Sequence, residues 1–311
     1  MKQLPIFYLQ SFACSNHSMK RYLYIILLCI SISSCITLRS SDSKLQTAFA
    51  PKVTDYTPQI HRYEIEKRPV RYMELGNDTL PLLIFMHGAP GSLTSFKSYM
   101  KDKDLLNKVK IVAVDRPGYG YSGFGKVERS VEKQAAFIKP ILEKYRPLHK
   151  KIMLVGSSYG GTVIARLAMD YPHLVDGLMF ISSSLAAGAE KTYAISYPTR
   201  YPPLRWLLPR MMRVATDEKF AHEKALKKME PFWGKITVPV SILHGNSDVL
   251  IYIENALYAK QELKNAPVRL AIVNGKGHFL PWNSPKIVKK EMLVFIDRVV
   301  AYQRPAVEAK K

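Results

Sequence analysis

A serine set between glycines is the candidate nucleophile of this chain. Ser158 stands at the centre of G-S-S-Y-G at residues 156–160. An apolar run at 152–155 predicts a buried strand before it, and the apolar spacing at 162–171 predicts a helix after it. A serine on such a sharp strand-to-helix turn is held out for attack only if its neighbours have almost no side chain. The first turn of the helix also directs backbone N–H groups toward an anion that forms beside Ser158.

The motif alone is weak support for catalysis, because glycine and serine are both common residues. A G-x-S-x-G match arises by chance in roughly one chain in ten of this length. A nucleophilic serine also needs a base that takes its proton and an acid that orients the base. The elements around Ser158 must therefore place such groups nearby.

The order of predicted elements indicates the fold class. Six apolar runs without alternation have the length of buried strands, at 82–86, 111–114, 152–155, 178–181, 240–243 and 268–273. Helical spacing lies between or after them, at 131–145, 253–263 and 287–300. An alternating hairpin at 63–74 comes first. This pattern predicts an α/β fold, with a mostly parallel sheet covered by helices on both faces.

Two residues that follow predicted strands complete the chemistry. Asp248 follows the run at 240–243, and His278 follows the run at 268–273. Because parallel strands end at the same edge of a sheet, both side chains are expected beside Ser158. His278 would take the serine proton and return it to the leaving group, while Asp248 would hold the imidazole and stabilise its charged form. Such base assistance contributes about 10²–10⁴ in rate.

The acid is the member of this set with a clear alternative. Asp248 follows a turn and is also suited to cap the helix that begins near Tyr252. If it only caps that helix, Glu254 is the substitute acid.

The other histidines are weaker candidates for the base. His87 and His244 precede glycines in loop motifs, where a histidine more often braces the loop. His149 and His222 lie in charged stretches of the chain. His278 is therefore the predicted base.

Five motifs, each at the end of a predicted strand, resemble those of the α/β-hydrolase family. They occur in the family's order: H-G-A-P-G at 87–91, D-R-P-G-Y-G-Y-S at 115–122, G-S-S-Y-G-G at 156–161, H-G-N-S-D at 244–248 and G-H-F at 277–279. The resemblance covers roughly residues 60–302. The resemblance implies the α/β-hydrolase fold and a catalytic triad in the order Ser158, Asp248, His278. It also implies an oxyanion hole formed by the backbone N–H groups of Ala89 and Tyr159.

The resemblance further implies a helical lid over the pocket. The lid is expected at 185–236, between the two parts of the hydrolase core at 59–184 and 237–302. Residues 204–213 combine leucine, tryptophan and methionine with Arg205, Arg210 and Arg213. This mixture is typical of a helix whose apolar face packs on the core, of an acyl-binding wall, or of a surface that contacts lipid.

These features together predict a serine hydrolase that acts on an ester or other acyl compound, without a cofactor or metal. Ser158 argues against dehalogenase and epoxide-hydrolase activity, because family members with those activities have an aspartate at this position. A proline-iminopeptidase-like aminopeptidase is the nearer alternative, although Ala89 departs from that group's H-G-G-P-G motif. A non-catalytic binding lipoprotein is a third alternative, but it would ordinarily lack a triad residue.

The G-x-G-x-x-G at 118–123 is interpreted as the family's turn loop, since no helix opens at its third glycine.

The N-terminus is predicted to be a secretory signal with a lipid attachment site. The first 34 residues contain no Asp or Glu, and Lys20 and Arg21 precede an apolar run too short to span a bilayer comfortably. The run ends in I-S-S-C at 32–35, which resembles a bacterial lipobox with an acylated cysteine, Cys35. We therefore expect residues 1–35 to be a signal peptide and the protein to be exported and anchored to a bacterial membrane. Met19 is an alternative start.

Composition and charge suggest how the domain is tethered and which surface it binds. Residues 36–58 are rich in Ser, Thr, Lys and Pro and are predicted to be a tether, and 303–311 a tail. The net charge of +21 excludes neither nucleic acid nor membrane by itself. No nucleic-acid motif occurs, and the leader directs the chain out of the cytoplasm, so an anionic lipid surface is the expected partner besides the acyl substrate. The sequence leaves the oligomeric state open.

Overall fold

The computed structural model describes residues 37–304, which are built around one eight-stranded sheet. The strands, in chain order, are β1 (Gln59–Ile65), β2 (Arg68–Leu75), β3 (Leu82–Met86), β4 (Lys110–Val114), β5 (Ile152–Ser157), β6 (Gly177–Ile181), β7 (Val240–Gly245) and β8 (Val268–Val273). Their spatial order is β1-β2-β4-β3-β5-β6-β7-β8. The β1–β2 and β2–β4 pairs are antiparallel, and all other pairs are parallel. The predicted α/β fold with a mostly parallel sheet is confirmed.

The central strands β3 to β7 are mostly apolar because both faces of the sheet are covered there. All residues of β3 to β7 are buried, whereas β1, at one edge, alternates between exposed and half-buried positions. Alternate side chains of β3 enter two separate cores, with Leu82 and Ile84 on one face and Leu83 and Phe85 on the other.

Helices of unequal length cover the two faces and the end of the sheet. The described helices are α1 (Asp42–Ala48), α2 (Pro51–Thr54), α3 (Lys97–Met100), α4 (Lys103–Leu106), α5 (Val131–Tyr145), α6 (Tyr159–Asp170), α7 (Leu204–Leu207), α8 (Arg210–Met229), α9 (Glu254–Glu262), α10 (Leu280–Asn283) and α11 (Pro285–Ala301). α5 and α6 bury their apolar sides on the first core, and α1 and α11 bury theirs on the second. A 17-residue α11 and a 15-residue α5 are long enough to shield most of a strand's length.

The N-terminal segment differs from its prediction. Instead of a tether over all of residues 36–58, the chain forms α1 and α2, and Ser41 caps α1 by accepting the Lys44 N–H. Leu45 and Phe49 are four residues apart, so they lie on one side of this segment, and both are fully buried in the second core. Two large apolar side chains are enough to fix the segment, although its composition is that of a linker.

Several predictions about the termini concern residues outside the described range. The signal peptide at 1–35, the lipidation site Cys35 and most of the tail at 303–311 belong to this group. Within residues 37–304 no helix is both long and apolar enough to cross a membrane.

The segment predicted to be the lid connects β6 to β7. Residues 185–236 contain short 3-10 turns, the four-residue α7 and the twenty-residue α8. The buried side of α8 follows a four-residue spacing through Val214, Glu218 and His222 and continues to Leu226. Two polar residues therefore lie where an amphipathic helix normally places apolar ones.

Candidate active site

Ser158 lies at the sharp turn between β5 and α6, in a backbone conformation that only tight packing maintains. Its φ is 53° and its ψ is −125°, which is unfavourable for a residue with a side chain. The neighbouring glycines make the turn possible. A Cβ on Gly156 would stand 2.6 Å from the Gly160 carbonyl oxygen, and one on Gly160 would collide with the carbonyl oxygen of Met86. The G-x-S-x-G sequence is therefore required sterically on both sides of the serine.

The acid and the base lie in loops at the same edge of the sheet. Asp248 follows β7, and His278 follows β8, whose last residue Val273 pairs with Gly245 of β7. His278 Nδ1 lies 2.9 Å from Asp248 Oδ2. The other carboxylate oxygen accepts the N–H groups of Leu250 and Ile251, each at 2.9 Å. Asp248 is thus fixed from both sides, and it directs Nε2 of the imidazole away from the carboxylate.

The electrostatics of this pair favour an ionised carboxylate. Burial opposes ionisation of the Asp248 carboxyl, but the hydrogen bond and the charge of His278, with the two backbone N–H groups, hold its pKa below the ordinary value. Glu254, the alternative acid, is an exposed residue at the start of α9. The structure therefore pairs His278 with Asp248 and not with Glu254.

Ser158 and His278 both face one cavity of about 150 Å³. Ala89 and Tyr159 line the same cavity, and neither of their backbone N–H groups donates a hydrogen bond to another described residue. The loop after β3 passes close over the serine, since a Cβ on Gly88 would stand 3.0 Å from Ser158 Cβ. The structure thus brings together all five residues that the sequence suggested for the triad and the oxyanion hole.

His87 and His244 brace loops, as the sequence suggested. His87 Nε2 accepts the backbone N–H of Arg116 at 3.0 Å, and His244 Nε2 lies 2.9 Å from the carbonyl oxygen of Ile251. Burial lowers the pKa of both imidazoles, so they remain neutral at neutral pH.

His222 is a cavity residue that the sequence analysis set aside. It is buried, lines the cavity of Ser158, and its ring stacks on Tyr159 with the ring centroids 4.4 Å apart. Its Nε2 lies 3.0 Å from Ser184 Oγ. Burial lowers the pKa of His222 to about 4, so the ring is neutral. Its spacing of four residues from Glu218 was the available signal, because that spacing places both on one side of a helix.

A buried ion pair connects the lid to the oxyanion loop. Arg116 donates to both carboxylate oxygens of Glu218, at 2.9 and 3.2 Å, and both side chains are fully buried. The same guanidinium donates to the backbone carbonyl oxygens of His87 and Gly88, at 2.8 and 3.2 Å. These are the two residues before Ala89. α8 of the lid therefore shares one charged group with the loop that carries the Ala89 N–H.

Two further side chains complete this network. Tyr119 donates its hydroxyl to Glu218 at 2.6 Å, and the Gln134 amide donates to Glu218 at 2.8 Å. The Arg116 guanidinium also lies over the Tyr159 ring, 4.5 Å from its centroid. Each carboxylate oxygen of Glu218 thus accepts two hydrogen bonds and each guanidinium nitrogen of Arg116 donates at least one, which offsets the cost of burying the pair.

Within residues 37–304 no group of three or more His, Cys, Asp or Glu side chains is placed to hold a metal ion. The loop at 118–123 forms a turn in which Gly118 and Gly120 have positive φ and Asp115 accepts the N–H of Tyr121. It is followed by a loop and not by a helix.

Removing the negative charge of Glu218 should destabilise the protein strongly. Glu218→Gln leaves the Arg116 guanidinium buried without a counter-charge, which costs about 3–5 kcal/mol in comparable cases. Urea unfolding followed by circular dichroism measures the loss. The matched control is Glu223→Gln on the exposed side of the same helix, where the ion pair with Lys227 is solvated and little change is expected. Equal stability of the two variants would show that the buried pair does not hold the lid.

Comparison with known proteins supports the assignment of the fold. The family model described as alpha/beta hydrolase fold matches residues 81–225. The uncharacterised hydrolase YugF of Bacillus subtilis is 22% identical over 272 residues, covering 76% of this chain and 97% of that protein. Epoxide hydrolase 1 of Caenorhabditis elegans is 30% identical over 118 residues. That match covers 37% of this chain and only 28% of the length of the epoxide hydrolase.

Solved structures with low sequence identity share the same fold. A bacterial membrane phospholipase A has a TM-score of 0.63 at 20% identity, covering 91% of this chain and all of that one. The esterase RhEst1 from a Rhodococcus species has a TM-score of 0.61 at 18% identity, covering 77% of this chain and 99% of that one. The family-model match over residues 81–225, the sheet order and the strand-to-helix turn at Ser158 agree with these structures and show that the chain has the α/β-hydrolase fold.

Proposed function

We propose that the protein is a serine hydrolase that cleaves esters of short acyl groups through an acyl-enzyme on Ser158. The hydrogen bond of 2.9 Å between His278 and Asp248, at the edge of the cavity that contains Ser158, is the observation that carries this proposal. The Ser158 hydroxyl attacks the ester carbonyl while His278 Nε2 takes its proton. The same nitrogen then gives the proton to the departing alcohol. Water, activated by His278, releases the acid in the second half of the reaction.

An oxyanion forms when Ser158 attacks the ester and again when water attacks the acyl-enzyme. Both oxyanions need N–H donors that are not already engaged in a hydrogen bond. The unpaired N–H groups of Ala89 and Tyr159 meet this requirement, and Tyr159 also stands at the positive end of the twelve-residue α6. Losing one such donor typically lowers kcat about 10²–10³-fold.

The cavity supports a short acyl group. Its volume of about 150 Å³ is below the roughly 300–1,000 Å³ that pockets for drug-sized ligands occupy. A long alkyl chain would have to leave the cavity and lie in solvent. The proposal is therefore for short acyl esters and not for triglycerides.

Two alternative reactions fit the site less well. An aminopeptidase needs an anionic group for the substrate ammonium, but Glu190, the acidic residue of the cavity wall, lies 3.1 Å from the ammonium of Lys219. Epoxide hydrolysis and dehalogenation in this family use an aspartate nucleophile, and this chain has Ser158. The serine nucleophile argues against epoxides and haloalkanes, and the pairing of Glu190 with Lys219 argues against a peptide with a free ammonium. An ester is therefore the favoured substrate.

Nitrophenyl esters of increasing acyl length test this proposal. We expect kcat/KM to be highest from acetyl to pentanoyl and to fall at least tenfold by dodecanoyl, since the longer chain does not fit. Ser158→Ala should lower kcat by at least about 10³-fold, whereas Ser98→Ala, at an exposed serine of α3, should match the wild type. A dodecanoyl ester as the best substrate, or proline arylamide cleaved faster than any ester, would contradict the proposal.

The lid has an outer surface that suits a lipid interface, and we propose that it docks on an anionic membrane. Seven large apolar side chains are exposed along it: Tyr193, Ile195, Tyr197, Tyr201, Leu204, Trp206 and Leu207. Residues 191–216 contain five Lys or Arg and no Asp or Glu. Apolar groups beside cations match the acyl region and the headgroups of an anionic bilayer. The acylated Cys35 predicted from the sequence would keep this surface near the membrane.

Not all lid arginines are available to headgroups. Arg205 donates to both oxygens of the Asp217 carboxylate, at 2.8 and 2.9 Å, and Arg213 donates to the carbonyl oxygens of Trp206 and Leu208. Both therefore brace the lid internally. Exposed apolar residues are consequently a cleaner test of membrane contact than the arginines.

Vesicle binding tests the proposed lid surface. The domain starting at residue 37 should sediment with phosphatidylglycerol vesicles at low salt, and Ile195→Ser should weaken that association several-fold. The matched control is Leu148→Ser, at a similarly exposed residue just before β5 and at the opposite edge of the sheet, and no effect on binding is expected.

Metabolic labelling in cells tests the anchor: a palmitate analogue should label the wild type and not Cys35→Ala. Equal binding of the two serine variants would contradict the lid surface, and labelling of Cys35→Ala would contradict the anchor.

A further inference from the structure

The cavity wall opposite the triad is charged. Glu190, Lys191 and Lys219 line the same cavity as Ser158 and His278. The side chains of Glu190 and Lys219 are only 12% and 24% exposed, and they form an ion pair of 3.1 Å between the segment after β6 and α8 of the lid. A lipase-like alkyl pocket would not need charges here.

An alkyl group is a poor occupant of this wall. Filling the cavity with a chain that cannot hydrogen-bond would remove water from the ion pair without replacing it, and such desolvation is costly. A polar end group would instead provide new partners. The ammonium of Lys219 has three donors and Glu190 accounts for one, so two remain for a ligand.

The balance of charge decides which polar group fits. The wall contributes two cations, Lys191 and Lys219, and one anion, Glu190, which gives a net positive charge at neutral pH. His222 adds an imidazole nitrogen, Nδ1, that is buried and has no hydrogen-bond partner among the described residues. His222 is 1% exposed and lines the same cavity, so this part of the wall is a buried polar surface, whereas Lys191 is an exposed residue at its margin, with its ammonium 4.8 Å from the centroid of the Tyr193 ring.

We propose that this wall is a subsite for an acyl group that ends in a carboxylate, with Lys219 as its main ligand. The inference rests on the proposed function, since it describes the acyl side of the ester that Ser158 attacks. The scissile carbonyl lies at Ser158 and the carboxylate reaches Lys219 and Lys191 across the small cavity. A hydrogen bond between the carboxylate and a lysine is charge-assisted and is stronger than one between neutral groups. The substrate class is therefore monoesters of short dicarboxylic acids.

Three esters of equal chain length separate the possible end groups. Nitrophenyl valerate, glutarate and δ-aminovalerate end in a methyl, a carboxylate and an ammonium, and rates are compared after subtraction of the uncatalysed reaction. We expect the glutaryl ester to have the highest kcat/KM, by about tenfold or more, because a charge-assisted bond is gained. A higher value for valerate or for δ-aminovalerate would overturn the subsite. Failure of all three esters would instead contradict the proposed ester hydrolysis at Ser158.

Variants of Lys219 assign the preference to this residue. Lys219→Met should reduce the glutaryl-to-valeryl ratio of kcat/KM about tenfold, whereas Lys219→Arg should largely keep it. Lys219→Gln, which retains a polar side chain, gives the same measurement if the methionine variant folds poorly. The matched control is Lys224→Met, an exposed lysine on the same helix, with an unchanged ratio expected. An unchanged ratio in both neutral Lys219 variants would overturn the proposal.

Inhibition by amides of the two acids gives a second readout that does not depend on turnover of a charged ester. Glutaramate, the monoamide of glutarate, should compete with nitrophenyl acetate in the wild type at a lower concentration than valeramide, because only glutaramate ends in a carboxylate. This difference should disappear in Lys219→Met and remain in Lys224→Met. Equal inhibition by the two amides in the wild type would contradict a carboxylate subsite.

Discussion

The contact on which the site depends most is the fully buried ion pair between Arg116 and Glu218. Arg116 comes from the loop after β4 and Glu218 from α8 of the lid, so the pair joins two parts of the chain that are 102 residues apart. Because the guanidinium also holds the carbonyl oxygens of His87 and Gly88, the position of the Ala89 N–H depends on the lid. Burying a charge pair in an otherwise apolar interior is justified only where several hydrogen bonds accompany it, as they do here. The lid and the loop that carries Ala89 therefore form one unit.

The lid differs from a simple apolar cover on both of its sides. Among the apolar residues of its inner side, Glu218 and His222 are buried and Lys219 lines the cavity, whereas its outer side exposes residues such as Ile195 and Trp206. A cover over a pocket for alkyl chains would need neither feature. This arrangement links the two proposals, a short polar acyl group inside and a lipid surface outside.

Local sequence signals were sufficient for most of the fold and for placing Ser158, Asp248 and His278 at one edge of the sheet. Buried parallel strands are read from apolar runs such as 82–86, and the turn at Ser158 from glycines that sterics require. The N-terminal helices were missed because their burial depends on two residues, Leu45 and Phe49, within a linker-like composition. The Arg116–Glu218 pair was missed because ion pairing between residues distant in the sequence leaves no periodic signal in a single sequence. His222 was missed although its four-residue spacing from Glu218 places both on one side of a helix.

The most direct test of the account is the identity of the residue that becomes acylated. A fluorophosphonate probe should add one covalent group to the wild type, and peptide mapping by mass spectrometry should place it on Ser158. Labelling should be much slower in His278→Ala, because the base that activates the serine is lost. Absence of an adduct on the folded wild type, or an adduct that persists in Ser158→Ala, would contradict the assignment of Ser158 as the nucleophile.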